Sequence, residues 1–241
     1  MKHFIDNKEK WLTMPAGRRI QNVESLLSLS DVDLYREYMY YTKFWIQERG
    51  WEYKKYSKMF INKDVVEVGS GLGFDGMIYQ RAAKSWTYVD ISEKQIQFLK
   101  RINQLFLKKD FDPNKFDYVL LDDPMSQEMP KKFDALFSHG VLHHVPLDFA
   151  KKEFSNFNRF LKHDADVVLL MYPKERWEDC GKPSFEDFGR FTDFGCPWAE
   201  YYDSEKILEL VGGEFEIVDT IFWGENNREF VNYELIKGES K

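Results

Sequence analysis

The stretch Val65–Gly76 reads VVEVGSGLGFDG, a short apolar run that breaks into glycines. Two nucleotide-binding patterns overlap in it: Gly71–Gly76 fits G-x-G-x-x-G, and Glu67–Gly73 fits E-x-G-x-G-x-G. Glycines between a buried strand and a helix let the backbone approach a ligand, and the helix N-terminus adds partial positive charge. The stretch therefore predicts a nucleoside-cofactor site, and the two patterns leave open a hydride-transferring NAD enzyme and a methyl-transferring enzyme.

Segments typical of strands and helices alternate outward from this loop. Two C-terminal runs, FEIVDTIFW and REFVNYELIK, are separated by GENN, which is typical of a hairpin turn. The pattern predicts an α/β, Rossmann-like fold with a mostly parallel sheet, helices on both faces and a C-terminal antiparallel hairpin. The apolar runs that predict the earlier strands cover residues 65–69, 87–90, 118–123, 134–141 and 166–173.

The first 60 residues predict a helical cap or lid ahead of a main domain, residues 61–241. An aromatic-rich helix, Val32–Arg49, has Ser30 or Asp31 as its N-cap candidate and Gly50 as its expected end. Residues 176–202 are irregular and rich in glycine, proline and aromatic side chains. We expect them to form an insertion on the substrate side of the main domain.

Composition narrows the class of protein. Of 241 residues, 43% are hydrophobic and 17% aromatic, which suits one well-cored domain and argues against extensive disorder. No apolar run reaches the length of a membrane span, no secretory signal is visible, and Cys180 and Cys196 lack metal-ligand spacing, so we expect a cytoplasmic protein without a metal site. The net charge of -7 favours a small-molecule partner over nucleic acid and leaves the oligomeric state open.

Acidic residues around the glycines bear on the choice of cofactor. Asp90 ends the next strand, where a carboxylate can accept hydrogen bonds from the ribose hydroxyls of either cofactor class. Glu67 lies inside an apolar strand, which implies a cationic or hydrogen-bonding neighbour, and Asp75 adds a second acid. Acids repel a pyrophosphate but suit sulfonium and ammonium groups, so the loop favours S-adenosylmethionine. Gly76 would then complete the NAD pattern by chance.

Four motifs occur in order: EVGSGLGFDG, YVDIS, the pair Asp122 and Asp123, and FDALFSHGVLHHV. Together they resemble the motifs of class I S-adenosylmethionine-dependent methyltransferases over about residues 60–175. The segments LLMYPKERW and GCPWAEYYDSEKILELV also resemble one bacterial small-molecule subgroup of that family.

The resemblance implies a site for S-adenosylmethionine, with S-adenosylhomocysteine as the product. The glycine loop would line the methionine end, Asp90 would bind the ribose, and Asp123 would reach the adenine amino group. The segment before Asp122 is shorter and more charged than is usual in the family, so the choice between Asp122 and Asp123 stays open. The implied contacts are Glu67, Gly69, Ser70, Gly71, Gly73, Asp90, Ile91, Asp123, Pro124, Met125, Ser138 and His139.

Three histidines follow the fourth strand and are candidates for a catalytic base: His139, His143 and His144. A hydroxyl or amine acceptor benefits from a group that removes its proton, and imidazole titrates near neutral pH. We predict His143 as the base. The alternative is that His143 and His144 bond backbone groups or pack beneath the substrate.

Aromatic and basic residues in two segments are candidates for contacts with the methyl acceptor. Aromatic rings would enclose it, and arginines would pair with its phosphate or carboxylate. The alternative for the N-terminal segment is a helix packed on the sheet by its aromatics, with arginines in solvent. The candidates are Tyr38, Tyr41, Trp45, Tyr53, Arg18, Arg19 and Arg36 in the N-terminal segment, and Trp177, Phe185, Arg190, Phe191, Phe194 and Trp198 in residues 176–202.

These features together predict an enzyme that O-methylates a small polar acceptor. A sugar, a nucleotide-activated or a phosphorylated metabolite is expected by analogy with the resembling subgroup, which includes enzymes near surface-glycan and natural-product pathways. The rivals are an NAD(P)-dependent oxidoreductase and a non-catalytic S-adenosylmethionine-binding partner subunit. A nucleic-acid methyltransferase is disfavoured because the sequence has no N-P-P-Y-like tetrad.

Overall fold

The computed structural model describes residues 9–11, 22–107, 112–192 and 198–238. Within these residues the chain forms two compact units. The first lies within residues 11–121, and the second within residues 122–238 together with residues 9–10. Each unit is described below by itself.

The first unit alternates helices and strands. β2 pairs in parallel with β1 on one side and with β3 on the other, so the carboxyl ends of these strands lie at one edge. β1 and β2 are buried along their whole length, as apolar strands covered on both faces require. In chain order the elements are α1 (Val23–Leu27), α2 (Asp31–Met59), β1 (Asp64–Val68), α3 (Phe74–Tyr79), β2 (Ser85–Asp90), α4 (Glu93–Leu107) and β3 (Phe116–Leu120).

Helix α2 is longer than predicted. Ser30 is its N-cap, and the serine side chain accepts a backbone hydrogen bond in the first turn, as expected. Gly50 does not end the helix, which continues to Met59 with non-helical angles at Arg49. A glycine inside a helix costs about 1 kcal/mol. Burial of later residues such as Tyr53 outweighs that penalty, because it removes large apolar surfaces from water.

The N-terminal helices pack into the core of the first unit. Arg101 on α4 donates hydrogen bonds of 2.7 Å to the carbonyls of Leu27 and Leu29 and pairs with Asp31 at 2.6 Å. The predicted boundary at residue 60 is therefore not where the compact units divide. The core cluster that joins these helices to the glycine loop, α3 and α4 consists of Val23, Leu26, Leu34, Tyr38, Leu72, Met77, Phe98 and Ile102.

The second unit carries the remaining strands. β5 pairs in parallel with β4 and, at its carboxyl end, with β6, while β8 pairs antiparallel with both β5 and β7. The β7–β8 pair is the predicted C-terminal hairpin, and the strand directions confirm the predicted Rossmann-like α/β fold. The elements are β4 (Phe133–His139), α5 (Leu147–Asn158), β5 (Leu161–Pro173), α6 (Lys174–Asp179), α7 (Phe185–Phe188), β6 (Tyr201–Tyr202), α8 (Ser204–Val211), β7 (Phe215–Trp223) and β8 (Phe230–Lys237).

Several element ends differ from the prediction for local reasons. β3 ends at Leu120, before the two acids that were predicted to finish it. β5 begins at Leu161, five residues before the predicted strand 166–173, and it accommodates Asp164 with a positive φ of 58°. Asp203 caps α8, and Gly212 with a φ of 80° ends it.

Candidate functional site

The glycine loop between β1 and α3 leaves open space beside Gly71. Gly69, Gly71 and Gly73 have positive φ values of 70°, 52° and 68°, a region that other residues rarely adopt. A Cβ built on Gly71 would meet no atom within 4 Å. Gly69 N–H and Ser70 N–H donate to Val89 O at 2.8 and 3.1 Å, which holds the loop on β2. The loop therefore exposes backbone on the Gly71 side, which fits the predicted contact with the methionine end of the cofactor.

Asp90, at the carboxyl end of β2, is buried and bonded to the glycine loop. Its two oxygens accept hydrogen bonds of 2.8 Å from Gly71 N–H and Ser92 N–H. In the amide orientation that satisfies both of its polar atoms, the Gln95 side chain also donates to both oxygens. Burial raises the pKa of the Asp90 carboxyl to about 6, against the opposing effect of these backbone hydrogen bonds. Ile91, the predicted adenine neighbour, follows it and is half-buried.

Glu67 is buried in β1 and has the hydrogen-bonding neighbour that the sequence implied. Its Oε2 accepts from Trp86 Nε1–H at 2.8 Å. Burial, followed by the charge of Asp75, raises the pKa of Glu67 well above its ordinary value, so the neutral carboxyl is favoured. A Cβ on Gly76 would collide with this carboxyl and would lie 2.8 Å from the Tyr88 ring. Gly76 therefore has a packing role that the sequence did not reveal, because only glycine lets α3 approach β1 and β2 this closely.

Asp75 forms hydrogen bonds with buried side chains of helix α2. Its two carboxylate oxygens accept from Arg49 Nη1 at 3.1 Å and from Tyr53 Oη at 3.0 Å, and all three residues are buried. The Arg49 charge balances that of Asp75, and the nearby Glu67 favours its neutral form. The electrostatic argument that two acids at the loop select a cationic cofactor therefore does not hold.

In the second unit, Asp123 organises its own turn. Its carboxylate accepts from Ser126 Oγ at 2.6 Å and from Met125 N–H at 3.0 Å, and these two hydrogen bonds lower its pKa. Asp123 and Asp122 are both exposed, while Pro124 between Asp123 and Met125 is buried. The turn presents an acid, a proline and a methionine in the order that the resemblance implied for adenine.

Ser138 and His139 end β4. Ser138 is 2% exposed, and its Oγ has no hydrogen-bond partner among the described residues. A buried hydroxyl of this kind is uncommon, and a ligand donor or acceptor is one way to satisfy it. His139 is half-buried, and its ring stacks on Phe137 with centroids 5.7 Å apart.

His143 and His144 form a buried imidazole pair in the short 3-10 turn after β4. Their Nε2 atoms are 3.1 Å apart, and His144 Nδ1 is 3.2 Å from Trp198 O. Because a carbonyl only accepts, His144 Nδ1 carries the proton, and in a pair of neutral rings His143 Nε2–H then donates to His144 Nε2. The His143 ring also stacks on Tyr172 at 4.1 Å. His143 is 1% exposed, so the structure encloses the residue that the sequence ranked first as base.

The same turn holds residues 198–202, the end of the predicted substrate-side insertion. Glu200 N–H donates to His143 O at 2.7 Å, and Tyr202 Oη lies 3.5 Å from Leu142 O. Residues 201–202 also add β6 to the end of β5. These contacts and the His144–Trp198 bond attach segment 198–202 to the end of the strands that carry Ser138 and His139.

A half-buried aromatic group on this segment was missed by the sequence analysis. Trp177 stacks on Tyr201 with centroids 4.3 Å apart, and Lys206 Nζ lies 3.4 Å from the Tyr201 ring centroid. Lys206 also pairs with Glu200 at 2.7 Å. Trp177 was a candidate by composition. The spacing of Tyr201 and Lys206 in the sequence did not predict their contact with each other or with Trp177.

The aromatic candidates of the N-terminal segment lie in the core of the first unit. Tyr38 is buried, stacks on Phe74 at 4.9 Å, and donates its hydroxyl to Gly73 O at 3.1 Å. Tyr41 is buried against the same Phe74 ring. The structure thus matches the alternative of a helix packed by its aromatics. Arg18 and Arg19 lie outside the described residues.

The remaining candidates in residues 176–202 are spread out. Arg190 is exposed and pairs with Asp187 at 3.1 Å. Phe191 is exposed, and Trp198 is half-buried beside the histidine turn. Phe194 lies outside the described residues.

Within residues 22–107, 112–192 and 198–238 no group of three or more histidine, cysteine, aspartate or glutamate side chains is arranged to hold a metal ion. Over the same parts of the chain, no helix combines the length and apolar character needed to cross a membrane.

Comparison with known proteins gives one matching family and many matching folds. Residues 66–167 match the family described as "Methyltransferase domain". No protein of curated function matches the sequence significantly.

Solved methyltransferases share the fold at low sequence identity. Magnesium protoporphyrin IX methyltransferase (ChlM) from Synechocystis PCC 6803, solved with bound S-adenosylhomocysteine, is 17% identical with a TM-score of 0.58, covering 86% of this chain and 84% of its own. N-methyltransferase NodS from Bradyrhizobium japonicum WM9, also with S-adenosylhomocysteine, is 12% identical with a TM-score of 0.58, covering 79% and 86%. An S-adenosylmethionine-dependent methyltransferase from Clostridium acetobutylicum ATCC 824 is 13% identical with a TM-score of 0.60, covering 84% and 99%.

The matched domain begins inside β1 and includes the glycine loop, Asp90 and the histidine turn. The match favours a methyltransferase over the NAD(P)-dependent oxidoreductase. Residues 66–167 thus match a methyltransferase domain, and the chain has the Rossmann-like fold of solved S-adenosylmethionine-dependent methyltransferases.

Proposed function

We propose that the enzyme O-methylates a small polar acceptor: a sugar, a nucleotide-activated or a phosphorylated metabolite. The observation that carries this proposal is the group formed by Trp177, Tyr201 and Lys206 at the carboxyl end of β5. Half-buried aromatic faces beside fixed charges suit a compact ring with several polar substituents, since small-molecule sites combine apolar walls with a few placed polar groups. The lack of a positive net charge supports the expectation of no nucleic-acid partner.

The cofactor contacts follow from the positions of the strand ends. S-adenosylmethionine supplies a methyl group on a sulfonium, which the acceptor attacks in line. We assign the methionine end to Gly69, Gly71 and Gly73, which share positive φ values, with open space beside Gly71. Asp90 accepts from the ribose hydroxyls, and the turn from Asp123 to Met125 contacts adenine. We also propose Ser138 at the end of β4 as a cofactor contact, because its Oγ has no partner among the described residues.

The base assignment changes from the sequence prediction. His143 is enclosed by its contacts with His144 and Tyr172, which supports a role in holding segment 198–202. A base contacts the proton that it removes, so accessibility matters. His139 is half-buried at the end of β4 and is the imidazole we assign to the acceptor.

A panel of acceptors tests the proposal. The enzyme is incubated with S-adenosylmethionine and with sugar nucleotides, sugar phosphates, phenols and amines, and S-adenosylhomocysteine release is followed. We expect turnover with hydroxyl-bearing sugars, with the new methyl found on oxygen by mass spectrometry. Turnover confined to amines or phenols would contradict the acceptor class. With the active acceptor, His139→Ala should lower kcat by about 100-fold or more, while S-adenosylhomocysteine affinity is retained. His144→Phe is the matched control, and it should chiefly lower stability.

A further inference from the structure

Besides its aromatic packing, helix α2 donates hydrogen bonds to the glycine loop and to the helix after it. Tyr38 Oη donates to Gly73 O at 3.1 Å, and Arg49 Nη1 donates to Asp75 Oδ2 at 3.1 Å. Tyr38 and Arg49 are separated by about three helical turns, which puts them on the same face of α2. The two contacts therefore hold the final glycine of the loop and the first turn of α3 from one side.

The Arg49 side chain is fixed on several sides. Its guanidinium lies 4.2 Å from the centroid of the Trp45 ring, one turn earlier on α2. Tyr53, one turn later, donates its hydroxyl to the other oxygen of Asp75 at 3.0 Å. The backbone of Arg49 has φ of -125° and ψ of 23°, and this break in α2 is local to the residue that reaches Asp75. The kink at Arg49, the Trp45 ring and the Tyr53 hydroxyl all surround the Arg49–Asp75 ion pair.

The ion pair is buried, which makes its geometry demanding. The side chains of Arg49 and Asp75 are 5% and 11% exposed. Burial alone lowers the pKa of Arg49, but the charge of Asp75, together with smaller effects of Tyr53, Glu52 and Tyr79, more than reverses this, so the pKa lies above its ordinary value. A buried pair of this kind is weak evidence for stability, because desolvation opposes the attraction, but removing one partner leaves an uncompensated charge. A role in fixing a conformation is the better-attested use.

Asp75 lies next to the loop backbone that was assigned to the cofactor. Gly73 is the N-cap of α3 and Asp75 lies in its first turn, so their positions set the direction of the loop amides and of the helix N-terminus. Affinity for a bound group depends on such backbone groups being held in place before binding. A shift of α3 would also disturb the close contact between Gly76 and Glu67.

We infer that Arg49 is a positioning residue for S-adenosylmethionine: through Asp75, and together with the Tyr38–Gly73 hydrogen bond, it holds the glycine loop in its binding conformation. Helix α2 is then a fixed support of the cofactor site within the first unit, and the predicted role of its aromatics as a lid is replaced. The inference rests on the assignment of the glycine loop to the cofactor.

The test measures S-adenosylhomocysteine affinity by calorimetry, so it needs no acceptor. Arg49→Met keeps the length and apolar stem of the side chain, and we expect a rise in Kd of about tenfold or more. Tyr38→Phe removes one hydroxyl and should raise Kd by about 3- to 10-fold. Arg49→Lys, which can pair with Asp75 through one nitrogen, should recover part of the affinity.

Arg101→Met is the matched control. It also removes a cation that ties α2 to the unit, through Asp31, but at the end of the helix away from Asp75. We expect it to lower the melting temperature while S-adenosylhomocysteine affinity stays at the wild-type value. If Arg101→Met weakens binding as much as Arg49→Met, the effect is general loosening of α2 and the inference is overturned.

Two further variants keep the outcomes separate. Should Arg49→Met fail to fold, Arg49→Met/Asp75→Asn removes both charges and leaves no uncompensated acid, and its wild-type affinity would overturn the inference. Gly71→Asn tests the assignment beneath it, because asparagine tolerates a positive φ and its side chain would fill the open space beside Gly71. Unchanged binding by Gly71→Asn would refute the loop assignment itself. Loss of binding there, with full binding by the Arg49 variants, would refute only the role of Arg49.

Discussion

Among the described residues, three buried acids have raised pKa values. Desolvation is the largest cause in each case, but the surroundings of the three carboxyl groups differ. Glu67 is bonded to Trp86, and Asp90 accepts backbone hydrogen bonds from the glycine loop. Glu153 on α5 has burial as the sole cause of its shift. The surroundings decide what titration does: at Asp90 it affects a predicted ligand contact, and at Glu153 it affects folding stability.

Asp90 should make cofactor affinity depend on pH. Its pKa is about 6, and the ionised carboxylate is the form that accepts hydrogen bonds from ribose hydroxyls. Below that pH the carboxyl must lose a proton to bind, so Kd for S-adenosylhomocysteine should rise by up to about tenfold per pH unit. Asp90→Asn should bind more weakly, with an affinity that is flat between pH 5 and 8. A flat profile in the wild type would contradict the assignment.

Glu153 should lower stability as the pH rises. Its pKa is about 7 in the folded protein against 4.5 for the ordinary group, so the folded state holds the proton more tightly than the unfolded state. Stability from the protonated carboxyl is fully present below pH 4.5, falls between pH 4.5 and 7, and is lost above. The loss amounts to at most about 3 kcal/mol.

The neutral isostere Glu153→Gln checks this expectation. The variant should raise the free energy of unfolding at pH 8 and change it little at pH 4.5, as measured by urea denaturation. Glu209→Gln, an exposed acid on α8 that pairs with Lys151, is the control and should show no such gain. An equal effect of Glu153→Gln at both pH values would mean that packing, and not titration, is responsible.

At the scale of elements, the strands were predictable and the helix ends were less so. β1 and β2 are short, mostly apolar runs; a glycine follows β1 and an aspartate ends β2, a pattern that has few alternatives. Helix α2 passes through Gly50 because the residues that stabilise its second half, such as Tyr53, are buried by partners distant in sequence. The low helix propensity of Gly50 is opposed by tertiary packing. The residues that provide this packing are distant in sequence, so the residues next to Gly50 do not reveal it.

Gly50→Ala should stabilise the protein. A Cβ at Gly50 would meet no atom within 4 Å, and the residue is exposed within helix α2. Alanine in place of helical glycine is worth about 0.5–1 kcal/mol, so the melting temperature should rise by about 1–4 °C. S-adenosylhomocysteine affinity should not change. Gly73→Ala is the contrasting variant: its positive φ and the nearby Leu99 side chain oppose a methyl group, and it should lose both stability and affinity.

For the whole molecule, order and spacing of motifs predicted the fold and the class of enzyme, but not which side chains face a ligand. The place of Asp90 at the end of β2 was predictable from sequence, because the strand pattern stops at this residue. The Arg49–Asp75 pair spans 26 residues and the His144–Trp198 contact spans 54, so neither leaves a local pattern. The need for glycine at position 76 was missed because it arises from contacts with Glu67 on β1 and Tyr88 on β2.

Ligand binding should stabilise the chain selectively. S-adenosylhomocysteine at about 100 times its Kd adds about 2.7 kcal/mol to the folded state, which corresponds to a rise in melting temperature of about 5–10 °C. NAD at the same concentration should leave the melting temperature unchanged. Stabilisation by NAD comparable to that by S-adenosylhomocysteine would contradict the assignment of the cofactor.

The bonds between the histidine turn and segment 198–202 have a practical consequence for anyone who wishes to redesign acceptor choice. The Trp198 carbonyl and the Glu200 amide are both occupied by residues 143–144, and Tyr202 Oη lies within bonding distance of Leu142 O. A transplanted loop from another methyltransferase that replaced residues 198–202 would leave those groups of the recipient without their counterparts. Grafts that end before Trp198 should keep these bonds. Grafts that include the donor's own turn after β4 should also keep them. The bonds of His143 and His144 therefore set the boundary of a segment that can be exchanged.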